Sequence, residues 1–164
     1  MLQTGQKAPP FELADARGHP LSLAAALASG PTALAFFKIE CETCRLAIPY
    51  FERLFRCCGG PAGPLQVMGV AQNPPEEVES AARDWGLSFP VACENPPFEV
   101  SRAYMLEVVP SFFLVEPSGL IVARAEAWSR QEFEVFCRTS CEATGTRLEK
   151  LYDEDNPPPA WKPG

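Results

Sequence analysis

The chain carries a Cys-x-x-Cys, Cys41-Glu42-Thr43-Cys44. It follows the apolar run Thr32-Ala33-Leu34-Ala35-Phe36-Phe37 and precedes a segment with helical periodicity. At a strand-to-helix junction, unpaired backbone N–H groups and the helix dipole favour an anion, so the first thiol becomes a thiolate more easily. The second sulfur sits one helical turn away, within reach of a disulfide. The chemistry open to such a pair is thiol–disulfide exchange. Cys41 attacks a partner disulfide, and Cys44 resolves the mixed disulfide that results. The flanking charges are mixed. Lys38 and Arg45 favour the thiolate, whereas Glu40 and Glu42 oppose it. Lys38, Glu40 and Glu42 are therefore the candidate modulators, and a glutamate between the sulfurs argues for a couple on the reducing side.

The other cysteines are Cys57, Cys58, Cys93, Cys137 and Cys141, seven in all. An odd count without a leader does not suggest a secreted disulfide framework. Cys57 and Cys58 read as helix-end packing, with a vicinal disulfide as the alternative. Cys137 and Cys141 read as core positions on one helix face, with a second redox pair as the alternative. No group has zinc spacing, so no metal is expected. The single histidine, His19, stands in a turn beside Pro20.

With 164 residues and 46% hydrophobic content, the chain fits one ordinary domain. Its net charge of −7 argues against nucleic acid or an anionic membrane as partner. No apolar stretch approaches the roughly 20 residues that span a bilayer. Met1 to Lys7 is polar and lacks the apolar core of a signal peptide, so the expected location is the cytoplasm; a leader already trimmed away would leave the same sequence.

The elements that must position the cysteines follow from patterning. A short helical stretch covers 21–28, and 32–38 is a buried strand. Residues 45–56 form a helix with Leu46, Ile48, Phe51, Leu54 and Phe55 on its apolar side and Pro49 inside it. A second buried strand covers 65–71. Asn73 is the expected N-cap of a helix that runs to about Trp85 and stops at Gly86. A short strand at 89–92 and a short helix at 98–105 follow. The hairpin 111–116 and 120–125 turns at Pro117-Ser118-Gly119. Ser129-Arg130-Gln131-Glu132 is a capping box that opens a last helix to about Ala143. Residues 1–152 thus form the domain. Residues 153–164 read as a Pro-rich irregular tail that Trp161 pins to it. The expected class is an α/β sandwich with a mixed sheet.

In this order the pieces resemble a thioredoxin fold, a three-layer α/β/α sandwich, and more closely its redoxin branch. That branch holds TlpA-like thiol-disulfide oxidoreductases and their alkyl hydroperoxide reductase/thiol-specific antioxidant relatives. The likeness covers roughly 5–143. It rests on Gly5-Gln6-Lys7-Ala8-Pro9-Pro10-Phe11-Glu12-Leu13 with Gly18 and Leu21-Ser22-Leu23, which is similar to the family's N-terminal hairpin. It rests also on Phe36-Phe37 before the Cys-x-x-Cys, on Pro49 after it, on Trp85 to Val91, on Ala103-Tyr104 through Val109-Pro110, and on Ser111 to Val115 with Gly119. The resemblance implies that Val109–Pro110 is a cis bond in a loop facing Cys41, where backbone groups pair with extended substrates. It also makes Cys93 a place where some relatives put a resolving cysteine.

Several positions depart from the family's patterns. Ala35 stands where thioredoxins keep a buried aspartate as proton acceptor, which leaves Lys38, Glu40 or water for that task. Placing Cys44 on the peroxidatic cysteine of Pro-x-x-x-Thr-x-x-Cys puts Phe37 at the proline and Cys41 at the threonine, so that pattern fails. Arg45 stands where a c-type haem motif needs histidine. The resemblance therefore implies a thiol-disulfide oxidoreductase acting as a reductant. Its expected partners are a protein or small-molecule disulfide and a thiol or reductase donor. It needs no cofactor beyond a Cys41–Cys44 disulfide. A thiol-dependent peroxidase and a catalytically weak binding module are the alternatives.

Overall fold

In the computed structural model, which describes residues 1–164, the strand Thr32–Phe37 is buried on both faces. Call it β3, after the hairpin strands β1 (Glu12–Asp15) and β2 (Pro20–Ser22). Ala33, Ala35 and Phe37 enter one core, and Leu34 and Phe36 enter the other. The strand β6 (Ser111–Val115) divides in the same way, with Phe112 and Leu114 against Phe113 and Val115. A period of two thus splits a continuous apolar run between two faces.

β3 pairs in parallel with β4 (Gln66–Ala71) and antiparallel with β6. β4 pairs in parallel with β5 (Val91–Cys93), and β6 pairs antiparallel with β7 (Ile121–Glu126). The N-terminal hairpin that the resemblance implied, β1–β2, adds beyond β5, and the seven strands lie in the order β2-β1-β5-β4-β3-β6-β7. Five α-helices accompany the sheet: α1 (Leu23–Ser29), α2 (Glu42–Cys57), α3 (Pro75–Asp84), α4 (Glu99–Ala103) and α5 (Arg130–Glu142). Ile48, Phe51 and Leu54 of α2 and Phe133 and Phe136 of α5 fill the first core; Leu23 of α1 and Tyr104 beyond α4 fill the second. The result is the expected α/β sandwich with helices on both sides of a mixed sheet. Gly69 keeps the first core open: a Cβ there would lie 3.0 Å from Phe37 Cε1 and 3.1 Å from Phe89 Cε2.

Some boundaries differ from expectation for physical reasons. α2 starts at Glu42, three residues before its expected start and four before Leu46, because its opening turn is polar. Pro74, not Asn73, is the N-cap of α3, and it makes no side-chain cap bond. The Asn73 amide is used elsewhere, as described below. β5 begins at Val91; Phe89 is buried from the preceding loop instead. α4 is shorter than expected, since Phe98 and Met105 on either side have φ of 58° and 55°. Within 153–164, expected to be irregular, Trp161–Lys162 forms a strand, β9, antiparallel to β8 (Trp128–Ser129). Two residues are too short a stretch for periodicity to reveal. The residue that pins this segment is Trp128, fully buried, whose Nε1 donates to the Pro159 carbonyl at 2.7 Å; Trp161 is 65% exposed.

Candidate active site

Cys41 is the N-cap of α2. Its Sγ accepts a hydrogen bond from the Cys44 backbone N–H at 3.2 Å, the bond a serine or aspartate oxygen would accept in an ordinary cap. The Cys41 thiol in turn donates to the Val109 carbonyl at 3.4 Å. Val109–Pro110 is cis, as expected, and its loop faces Cys41. Cys41 is half-buried, whereas Cys44 is wholly buried on the inner side of the helix. Burial and then the hydrogen bond with Cys41 push the Cys44 thiol far up; the Lys38 backbone pulls it down, and the charge on Cys41 raises it by less. Cys44 thus holds its proton while Cys41 meets solvent.

The modulators expected from sequence are engaged in different ways. Glu42 Oε2 accepts from Lys162 Nζ at 3.0 Å, and this ammonium holds the Glu42 carboxyl below the usual range. Glu40 Oε2 accepts from Asn73 Nδ2 at 3.0 Å, and that bond lowers the Glu40 carboxyl. Asn73 also accepts from the Ile39 N–H at 3.0 Å and donates to Glu77 at 2.9 Å, so one buried amide ties the active-site loop to α3. Lys38 Nζ lies over the Phe98 ring, 5.5 Å from its centroid. Ala35 is sealed in the core. Of the proton acceptors expected for Cys44, Lys38 thus lies against an aromatic face and Glu40 accepts from an amide through one oxygen.

A family model, the AhpC/TSA family, matches residues 4–124, which include both cysteines and the Val109–Pro110 loop. The chain belongs to the AhpC/TSA family. It is similar to the thiol-disulfide oxidoreductase ResA of Bacillus subtilis (strain 168), 26% identical over 121 residues that make up 74% of this chain and 66% of that protein. The chain therefore spans just under two thirds of that relative's length. A thiol:disulfide interchange protein from Bacteroides sp. superposes with a TM-score of 0.72 at 22% identity, covering 88% of this chain and 91% of that one. Peroxidoxin BcpB from Mycobacterium tuberculosis superposes with a TM-score of 0.71 at 16% identity, covering 87% and 98%. These structures share the thioredoxin-like fold with this AhpC/TSA chain. Because their names come from both chemistries, the fold does not choose between them.

Outside the active pair, the AhpC/TSA chain brings together sulfurs that spacing alone did not pair. Cys58 Sγ lies 3.4 Å from Cys141 Sγ, joining the end of α2 to α5, rather than Cys57 with Cys58 or Cys137 with Cys141. Cys57 accepts from the Glu149 N–H at 3.1 Å. Cys93 is buried in β5, and burial raises its thiol. All seven sulfurs are unlinked. His19 bonds Asp15 at 3.0 Å on the surface, consistent with a turn role. Sequence reasoning missed Asn73 and Lys162 at the site. The only available signal was residue type, since both reach the loop from distant segments.

Proposed function

We propose that this AhpC/TSA-family chain is a thiol-disulfide oxidoreductase that reduces protein or small-molecule disulfides. The observation that carries this reading is the unequal placement of the two sulfurs: Cys41 half-exposed at a helix N-terminus beside the Val109 carbonyl, Cys44 buried and protonated behind it. The Cys41 thiolate attacks one sulfur of the substrate disulfide, forming a mixed disulfide and expelling the other sulfur as a thiolate. Cys44 then gives up its proton and attacks Cys41, releasing the second substrate thiolate. Two electrons pass to the substrate, two protons follow, and the protein is left with a Cys41–Cys44 disulfide. An external thiol or a reductase restores the dithiol. That disulfide is the redox group, with no metal or organic cofactor in the cycle, and the proposed setting is the cytoplasm. The Val109–Pro110 loop supplies backbone groups that position the substrate.

Insulin-disulfide reduction tests this. Wild type should outpace Cys41→Ser, which should fall to the uncatalysed rate; equal rates would sink the assignment and favour a binding module. Cys44→Ser should accumulate mixed disulfides through Cys41. The burial of Cys44 and the failed Pro-x-x-x-Thr-x-x-Cys pattern weigh against a peroxidase. Peroxide consumption with a thiol reductant, lost in Cys44→Ser but retained in Cys41→Ser, would reverse that ranking.

A further inference from the structure

Residues 158–164 lie outside the part of the chain that the family model matches, and they run directly into the site. Their upper end is firmly held. Trp128 Nε1 donates to Pro159 O at 2.7 Å, the Arg130 N–H donates to Ala160 O at 2.9 Å, and Pro158 is buried. The β8–β9 pairing then aims the next residues at the Cys-x-x-Cys. Lys162 Nζ meets Glu42 at 3.0 Å. The Thr43 hydroxyl donates to the Pro163 carbonyl. Gly164 rests on the loop before Pro110, so close that a Cβ on it would lie 2.9 Å from both Val108 Cβ and the Val109 oxygen. Three consecutive residues thus touch both residues between the sulfurs and the loop whose carbonyl bonds Cys41.

We propose that Lys162-Pro163-Gly164 fills the groove in which this site takes an extended peptide, as a displaceable strap that substrates must lift. This inference rests on the thiol-disulfide reading above. The groove's chemistry states what it accepts. With the strap docked Thr43 is only 3% exposed and its hydroxyl donates to a backbone carbonyl, the kind of acceptor an extended substrate also carries. Glu42 asks for a cation in the place of Lys162. The wall of Val108 and Val109 leaves room for glycine where Gly164 lies. The groove therefore suits a basic residue followed by proline and glycine. The strap can be lifted because its tip is weakly held. Glu42's side chain is 82% exposed, so its pair with Lys162 is screened, and Trp161 adds no buried anchor.

The test is the labelling rate of reduced Cys41 by a bulky maleimide, read by peptide mass spectrometry. Cys41 is half-buried with the strap in place, so a strap docked nine-tenths of the time should block a reagent too bulky for the remaining opening about tenfold, and deleting 161–164 should speed labelling by about that factor. Lys162→Glu should speed it about threefold, since a screened surface pair contributes modestly. The free peptide Ala-Trp-Lys-Pro-Gly should slow the deletion variant saturably, and the same peptide with glutamate for lysine should not. The deletion keeps the Trp128–Pro159 and Arg130–Ala160 bonds; if it nonetheless unfolds, Lys162→Glu and peptide competition on that variant decide. Unchanged labelling in Lys162→Glu, or no slowing by the lysine peptide, overturns the proposal. Labelling needs no turnover, so a strap effect without insulin reduction would refute the enzyme reading alone. Insulin reduction without a strap effect would refute the strap alone.

Discussion

At Cys44, burial and the neighbouring sulfur keep the thiol protonated well above physiological pH, while Cys41 lies open beside Val109. Limiting iodoacetamide at about pH 8 should therefore alkylate Cys41 and spare Cys44. Comparable labelling of both by peptide mass spectrometry would undo the division of roles. Asn73 offers a second residue-scale test. Its bond holds the Glu40 carboxyl below the ordinary value of 4.5, so the fold gains stability above that pH and loses it as pH falls through the lowered value. Glu40 is exposed, so the step is small. Asn73→Ala should flatten it and, by leaving the half-buried Ile39 N–H without its partner, cost about 1 kcal/mol near neutral pH. Urea midpoints at about pH 6 and about pH 3.5 measure both effects. Cys41, Cys44 and Val109–Pro110 were legible because a local motif and a resemblance marked them. Asn73 and the Cys58–Cys141 contact were not, because each joins segments that only tertiary packing brings together.

Among the elements, the strands were the most readable, since β3, β4 and β6 are apolar on both faces and stand out as unbroken runs. The start of α2 was not. Its first turn presents Glu42 and Thr43, and a sulfur does the capping, so neither apolar periodicity nor a usual cap residue announces it. Gly69 in β4 carries a prediction at this scale. Gly69→Ala would press a methyl group against Phe37, Phe89 and Val91 at 3.0–3.2 Å. We expect a loss of about 1–3 kcal/mol, seen as a lower urea midpoint with an unchanged slope. No loss would mean that the first core has slack that the packing does not show.

For the molecule as a whole, the sequential order of strands and helices carried the architecture. The sheet order was not legible in the same way, because the chain crosses from β2 to β3 and from β5 to β6 without pairing those strands. What stayed hidden was the return of 158–164 to α2, since Lys162 and Glu42 stand 120 positions apart and the intervening prolines carry no period. That return has a practical side. Whatever is attached beyond Gly164, whether a purification tag, a fluorophore or a spin label, sets out from the mouth of the Cys41 site. On the function proposed above, such an appendage would alter the kinetics it was meant only to monitor, and a dye placed there would gauge whether the dithiol is free, occupied or oxidised.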